Sequence, residues 1–257
     1  MSKYKLGFIS DEDLVDHVRY CVDRYRSSIT AAQIEKNILD PVKLCFDGNI
    51  YGYGFEGAFR QEVARQIDKS NNNLIGHFHQ RIFAVMGRGW EVPSKGWDVV
   101  NRQSRCYVEL KNKHNTMNSS SARATHDRMW KKVEEDSRAV CMLVEVIARQ
   151  SQDEAWVLKV NNRKRQHERI RRVSIDRFYE IVTGQKDAFA RFCFALPIVL
   201  KDVLESRGGE SHGSALNRST VKLLDEYRGV SRDEVGECFR KSFCSYQGFQ
   251  RVRTAKV

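Results

Sequence analysis

Long apolar runs are absent from this sequence. Hydrophobic residues make up 41% of its 257 residues, and no stretch approaches the roughly 18 residues that a bilayer crossing requires. The first residues, Met1 to Leu6, are charged and are followed by no apolar segment, so a secretory signal is not expected. We therefore expect a soluble protein that makes no membrane contact and is located in the cytoplasm.

Paired cysteine motifs are also missing. The seven cysteines stand singly, without a Cys-x-x-Cys pair and without a nearby pair of histidines. Neither a zinc site nor a disulfide framework is therefore expected. Most of the cysteines have apolar neighbours in the sequence, and they are more simply interpreted as small core residues.

Negative charge is scarce relative to positive charge. The chain has 33 acidic residues against 44 lysines and arginines, which gives a formal net charge of +11. A polyanion such as nucleic acid is the natural partner for this balance. Charge alone does not establish such a partner, because many basic proteins bind no nucleic acid specifically.

Apolar residues spaced by three and four positions predict helices over most of the first 86 residues. Polar residues and Pro41 are expected to separate them. The predicted elements are a capped helix starting at Ser10, a helix from Ile29 to Leu39, a turn from Asp47 to Asn49, a helix from Phe55 to Ile67, a break from Lys69 to Asn72, and a helix from Leu74 to Met86.

After Gly89 the apolar pattern changes to that of strands, and a mixed α/β fold is predicted. The length fits a single domain over residues 1–257, with a helical part (1–70), a core (71–160) and a basic and helical part (161–257). The predicted strands are Trp90 to Val92, Trp97 to Asn101, Cys106 to Leu110, Val140 to Ile147 and Ala155 to Val160; the helices are Ala122 to Arg138, Ile175 to Val182, Phe189 to Leu204, Val221 to Tyr227 and one from Ser231 toward Cys244, with a linker from Gly208 to Ser214.

Two acids and a lysine stand out in the predicted meander. Asp98 belongs to one strand, and Glu109 and Lys111 share one face of the next because side chains alternate along a strand. If the strands pair, two carboxylates converge beside an ammonium group, which is costly unless a cation lies between them. Hard oxygen ligands select Mg²⁺ or Mn²⁺, and such an ion supports phosphodiester hydrolysis. A solvated strand face remains the alternative interpretation for so short a pattern.

The order of elements around this pattern resembles the PD-(D/E)XK nuclease superfamily. Asp98 corresponds to the first acid of its motif and Glu109-Leu110-Lys111 to the second half. The resemblance implies an αβββαβ core, a mixed sheet flanked by helices, here with extra N- and C-terminal helices. One departure is that Gly96 and Trp97 precede Asp98 where the motif has a proline.

Two segments, Asn73 to Gln80 and Glu109 to Thr116, resemble type II restriction endonucleases that cut GGNCC or GGWCC sites. This resemblance implies a homodimer that recognises a short palindrome in double-stranded DNA and leaves 5′-phosphate ends. It also implies Mg²⁺, with Mn²⁺ as a substitute, held by Asp98, Glu109 and the backbone carbonyl of Leu110.

In the superfamily an acid or amide on the preceding helix often supports the metal site. Gln80 is the first candidate for this role, His79 the second and Glu62 the third. An ordinary surface glutamine beside the core residue Phe78 is an equally good interpretation of Gln80.

Several polar and basic residues are candidates for DNA contacts. The loop after the catalytic strand can reach a phosphate, and a basic run from Asn162 to Arg172 can follow the DNA backbone. An ordinary polar turn and a solvated charged face are the alternatives. The candidates are Lys113, His114, Asn115, Thr116, Asn118, Arg123, Arg163, Lys164 and Arg165, and the arginine that reads guanine stays open among Arg123, Arg128, Arg163 to Arg172, Arg251 and Arg253.

Two other functions fit the same residues. One is a DNA repair or junction-resolving nuclease of the same superfamily without sequence specificity. The other is a non-catalytic DNA-binding protein, although clustered acids facing a polyanion would serve no purpose in a binder.

Overall fold

The structure is a computed structural model that describes residues 2–37, 39–160, 163–207, 236, 239–240 and 242–249. Its contacts divide the chain into two compact units, one formed by Met1–Arg19 with His79–Val257 and the other by Tyr20–Phe78. The single domain expected over residues 1–257 stays a prediction. Among the described helices, none combines the length and apolar character that a membrane crossing requires.

The described elements follow the mixed α/β order that the sequence predicts. The helices are α1 Asp11–Val22, α2 Ala31–Lys36, α3 Pro41–Ile50, α4 Gly54–Val85, α5 Ser119–Glu135, α6 Ile175–Thr183 and α7 Ala188–Glu205. The strands are β1 Trp90–Glu91, β2 Val99–Asn101, β3 Cys106–Lys113, β4 Val140–Ile147, β5 Asp153–Ala155, β6 Leu158–Val160, β7 Arg163–Arg165 and β8 Ile170–Ser174.

Six strands form one mixed sheet in the order β1-β2-β3-β4-β8-β5. The first three make the predicted antiparallel meander. Strand β4 lies parallel to β3, β8 lies parallel to β4, and β5 closes the sheet antiparallel to β8. Strands β6 and β7 form a separate hairpin. A mixed sheet flanked by helices is thus confirmed.

The sheet is covered by helix α5 on the face that also carries the candidate acids. Met129 and Val133 of α5 pack against Cys141, Leu143 and Ile170 of the central strands, and all five side chains are buried. Since β4 has apolar residues on both faces, it is the buried central strand that its composition predicts.

The predicted turn at Asp47 to Asn49 is wrong, because these residues lie within α3. The Asp40 carboxylate accepts hydrogen bonds from the N–H groups of Val42 (3.0 Å) and Lys43 (3.1 Å) and so caps the helix. Position 48 of α3 requires glycine, because a Cβ there would lie 2.9 Å from the carbonyl oxygen of Gly54, too close for any side chain.

The predicted break at Lys69 to Asn72 is also wrong, because α4 continues from Gly54 to Val85. The polar side chains bond without interrupting the helix: Asn72 donates to Asp68 one turn earlier (2.8 Å). Asn71 accepts from the N–H of Arg26 and donates to its carbonyl, both at 2.9 Å. A polar run therefore marks a helix end only where its side chains cap backbone groups of that helix.

Some predicted boundaries change. Strand β2 begins at Val99, so Asp98 lies just before it, and the strand expected from Ala155 to Val160 is divided around the buried Trp156. The linker from Gly208 to Ser214 and the helix from Val221 to Tyr227 lie outside the described residues, as does most of the segment from Ser231 to Cys244.

Asn71→Ala tests the described role of the polar run. The variant loses two hydrogen bonds at a buried position, so we expect unfolding to become easier by about 1–3 kcal/mol. Asn72→Ala, at an exposed neighbouring position, should cost less than about 0.5 kcal/mol. Urea denaturation of both variants measures the difference, and equal losses would contradict the assignment.

Candidate active site

Asp98 is fixed against strand β3 by two hydrogen bonds. Its backbone N–H donates to the carbonyl of Val108 (3.0 Å), which extends the β2–β3 register in which Val99 faces Val108. Its side-chain Oδ2 accepts from the N–H of Leu110 (2.7 Å). The carboxylate is therefore held at the edge of β3, level with Glu109.

The side chains of β3 alternate as the sequence predicts. Val108 and Leu110 are buried on one face, whereas Glu109 and Lys111 are half-buried on the other. The parallel register places Glu109 beside Leu143 and Lys111 beside Glu145 on β4. Glu109 and Lys111 therefore lie on the α5 face of the sheet.

Two cations hold the carboxylate of Glu109, whose side chain is only 13% exposed. The Lys111 Nζ lies 2.6 Å from its Oε1, and Arg128 Nη2 of α5 donates to its Oε2. Arg128 Nη1 also donates to the carbonyl of Gly96 (2.7 Å), and the guanidinium lies over the Trp97 ring, 4.5 Å from its centroid. Arg128, which the sequence left open as a guanine reader, is thus a neighbour of the acids, and no local pattern distinguished it from Arg123.

The electrostatic environment of Asp98 disfavours its ionised form. Burial is the main cause that raises the pKa of this carboxyl, and the nearby charge of Glu109 raises it further. The N–H of Leu110 and the charges of Lys111 and Arg128 offset only part of the increase. A cation bound between the two carboxylates would remove this penalty.

The donor chemistry of the pair fits a hard divalent cation. Asp98 and Glu109 supply carboxylate oxygens, the ligands that Mg²⁺ prefers. Within the described ranges, no group of three or more His, Cys, Asp and Glu side chains is arranged to hold a metal. An ion held by two carboxylates keeps several coordination positions for water and substrate, as Mg²⁺ sites usually do.

The three supporting candidates on α4 have different surroundings. Gln80 and His79 are half-buried in the last turns of the helix, and burial lowers the pKa of His79 to about 4. Glu62 is buried in the Tyr20–Phe78 unit, where Arg65 (2.5 Å) and Gln66 (2.9 Å) donate to it. Their roles at a metal site stay predictions.

The loop after β3 is exposed but has internal order. The N–H of His114 donates to the carbonyl of Ile147 (3.0 Å), and the hydroxyl of Thr116 donates to the carbonyl of Lys113 (2.8 Å). Asn118 caps α5 by accepting from the N–H of Ser121 (2.8 Å). Lys113, Asn115 and Thr116 are exposed, so they are accessible to a ligand.

The basic run expected to follow DNA is structurally divided. Arg163 and Lys164 are exposed on β7, and no ion pair with another described residue engages them. The other arginines have partners within the protein. Arg165 lies over Trp130, 4.2 Å from its ring centroid, and pairs with Asp127, which also lies 4.0 Å from Arg123 of α5. Arg169 donates to the carbonyls of Asp136 (3.1 Å) and Ala139 (3.2 Å). Arg171 pairs with Asp153 and Arg172 with Glu145, both at 2.6 Å.

The sequence matches a family model over most of its length. The model of the Eco47II restriction endonuclease family covers residues 6–205, which include the eight strands of the described residues and the Asp98 site. The chain belongs to this family. The type II restriction enzyme Sau96I of Staphylococcus aureus is 28% identical over 228 residues, 84% of this chain and 87% of that enzyme. The type II restriction enzyme Eco47II of Escherichia coli is 27% identical over 219 residues, 80% and 90% of the two chains. No solved structure gave a significant match.

Membership of the Eco47II family confirms the enzyme class expected from the sequence, a type II restriction endonuclease. Enzymes of this class bind DNA and cleave it, and they generally require divalent metal ions. The carboxylate pair in the matched region is the described feature whose chemistry agrees with this requirement.

The raised pKa of Asp98 predicts a pH-dependent stability effect. Ionisation costs more in the folded protein than in the unfolded chain, so stability is lost as pH rises from the unfolded pKa of about 4 through the folded pKa. At pH 7 in EDTA, Asp98→Asn should melt at a higher temperature than the wild type, and the difference should vanish as the pH falls below the unfolded pKa of about 4. Calorimetry over this pH range, with exposed Glu91→Gln as control, measures it; equal melting temperatures at pH 7 would refute it.

Proposed function

We propose that this family member hydrolyses phosphodiester bonds of double-stranded DNA with Mg²⁺, at a short palindrome of the GGNCC kind, leaving 5′-phosphate ends. The observation that carries the proposal is the pair formed by Asp98, just before β2, and Glu109 of β3, with Asp98 bonded to the N–H of Leu110 and Lys111 bonded to Glu109. The succession of α4, the β1–β3 meander, α5 and β4 supports a PD-(D/E)XK core.

In this proposal Asp98, Glu109 and the carbonyl of Leu110 would hold the ion. When bound, the ion would supply Lewis-acid polarisation of a phosphoryl oxygen and make a nearby water a better nucleophile. Mn²⁺ would substitute, because it also prefers oxygen ligands. Gln80 is proposed to support the site from α4, in preference to His79 and Glu62.

Lys111 has two functions in the proposed reaction. Before DNA binds, its ammonium Nζ lies 2.6 Å from the Oε1 of Glu109 and balances the charge of that carboxylate. Once a cation is bound, the same group can orient the attacking water or stabilise the negative charge that develops on the phosphate. Arg128 anchors Glu109 from α5 and keeps the carboxylate in position.

A homodimer follows from the proposed substrate. One chain supplies one carboxylate pair, whereas a double-strand cut in a palindrome breaks two symmetry-related bonds. A twofold dimer presents two equivalent sites to two equivalent half-sites. The exposed Lys113, Asn115, Arg163 and Lys164 are the proposed backbone contacts.

Removal of either acid tests the catalytic proposal. Asp98→Ala and Glu109→Ala should each reduce plasmid cleavage in Mg²⁺ by more than about 10³-fold, because one acid alone cannot retain the ion. DNA binding in Ca²⁺, measured by fluorescence anisotropy, should persist. Glu91→Ala is the matched control, since this acid of β1 pairs with Arg102 at the surface.

Near wild-type cleavage by either acid variant would remove the proposed site. The fragments formed by the wild type also decide between two forms of the proposal. Discrete fragments support site-specific cleavage, whereas a smear would indicate a nuclease without sequence specificity.

Salt dependence tests the two exposed cations of β7. If Arg163 and Lys164 contact phosphates, their double alanine variant should reduce the slope of log K against log salt by about 2 for each subunit, or about 4 for the proposed homodimer, because each contact releases counterions. Anisotropy titrations measure the slope at salt concentrations from about 50 to about 200 mM, a range that includes the physiological one. The control pair Arg102→Ala and Lys201→Ala removes cations already paired with Glu91 and Glu205. An unchanged slope in the β7 variant would exclude these contacts.

A further inference from the structure

A polar cavity of about 280 Å³ opens next to β4, the strand that pairs with β3. It begins at Glu145, which lies directly beside Lys111 in the parallel β3–β4 register. It extends over the β8–β5 side of the sheet, and every residue that lines it is charged or an amide. The lining residues are Glu145, Arg149, Gln150, Gln152, Glu154 and Arg172.

Arg172 is the arginine of this cavity whose side chain is fixed by hydrogen bonds. Its Nε donates to Glu145 Oε2 (3.0 Å) and its Nη2 to Oε1 (2.6 Å), so one edge of the guanidinium is fixed. Glu145 is only 1% exposed, and a buried carboxylate requires such a partner. The Arg172 side chain itself keeps 31% exposure.

The fixed edge leaves another edge available. A guanidinium has five N–H donors in a rigid planar fork, and Glu145 takes only two of them. The end of the fork, formed by Nη1 and the second hydrogen of Nη2, presents two parallel donors. Two parallel donors match the O6 and N7 acceptors that guanine shows in the major groove.

We propose, on the basis of the proposed DNA cleavage, that Arg172 is a specificity-determining residue that reads a guanine of the recognition site from this cavity. Glu145 is its positioning residue, because it fixes the orientation of the fork. The sequence left several arginines open as the residue that contacts guanine, and the proposal selects Arg172 among them.

The surrounding side chains support recognition of base edges rather than a closed internal network. In the part of the chain that the structure describes, no hydrogen bond or ion pair engages the side chains of Arg149, Gln150, Gln152 or Glu154. Gln, Arg and Glu are the groups that pair with adenine, guanine and the cytosine amino group. The backbone N–H of Gln152 donates to the Ser174 hydroxyl (2.9 Å), so the backbone on this side of the cavity is held in position.

The position of the cavity relative to the acids fits a short recognition site. Three strand spacings separate β3 from β5 in the sheet order, or about 14 Å. Base pairs of DNA follow each other at about 3.4 Å, so this distance covers about four steps. One sheet face can therefore carry both the cutting residues and the reading residues.

The test uses the wild type and Arg172→Lys, which keeps a positive charge beside Glu145 but loses the two parallel donors. The probes are duplexes that contain the site found by sequencing the wild-type fragment ends, unmodified or with 7-deazaguanine replacing one symmetry-related pair of guanines at a time, so that both half-sites change as both subunits do. 7-Deazaguanine lacks only the N7 acceptor. Anisotropy in Ca²⁺ gives the affinities, and thermal melts check folding.

For the wild type, one 7-deazaguanine position should lower the affinity about 10- to 100-fold. Arg172→Lys should bind the unmodified duplex about as weakly as the wild type binds that modified one, and the modification should then have no further effect. A merely structural role would instead weaken binding to all duplexes alike. The double variant Glu145→Gln with Arg172→Gln, which removes both charges together, should behave like Arg172→Lys.

Arg171→Lys is the matched control. Arg171 lies next to Arg172 on the opposite face of β8 and has 30% side-chain exposure. Its Nε donates to the carboxylate of Asp153 (2.6 Å) and its Nη2 to the Asp153 carbonyl (2.7 Å), so its guanidinium is also held within the protein. It should retain the wild-type response to 7-deazaguanine. The proposal is overturned if Arg172→Lys keeps that response, or if no guanine position affects the wild type. Discrete plasmid fragments from the wild type would show that only this inference, and not the proposed cleavage, had failed.

Discussion

The pairing of β2 with β3 is the constraint on which the site depends. Asp98 belongs to no strand, yet two hydrogen bonds to β3 hold it level with Glu109. The same register turns Leu110 into the core and leaves Lys111 beside the acids. A shift of one residue would exchange the two faces of β3 and bury the charges instead.

Charge balance is the second theme of this region. Burial is the main cause of the raised pKa of Asp98, and the charge of Glu109 raises it further, whereas Lys111 and Arg128 compensate only in part. The protein thus keeps a half-buried carboxylate beside a second one, and Lys111 and Arg128 balance their formal charge. The free energy of unfolding is therefore lower than it would be with a neutral side chain at position 98. Such local destabilisation is a common property of functional sites.

The face of the sheet under α5 combines apolar and polar regions. Met129 and Val133 pack over Cys141 and Leu143 near the start of β4, whereas Glu145 and Arg172 lie further along the strands. Apolar packing fixes the backbone, and the backbone then orients the charged groups. A site built on packed strands is held more accurately than one built on a loop.

The sequence by itself determined the local features. Alternation predicted which side of β3 Glu109 and Lys111 share, and the continuous apolar run predicted β4, because these patterns depend only on the period of a strand. Residue-level resemblance identified the class of enzyme. The polar run near Asn71 misled the helix prediction, since its partners are distant in sequence. Only the tertiary structure decided that Arg128 joins Glu109 and that Glu145 holds Arg172, because both contacts form between elements whose pairing no local pattern encodes.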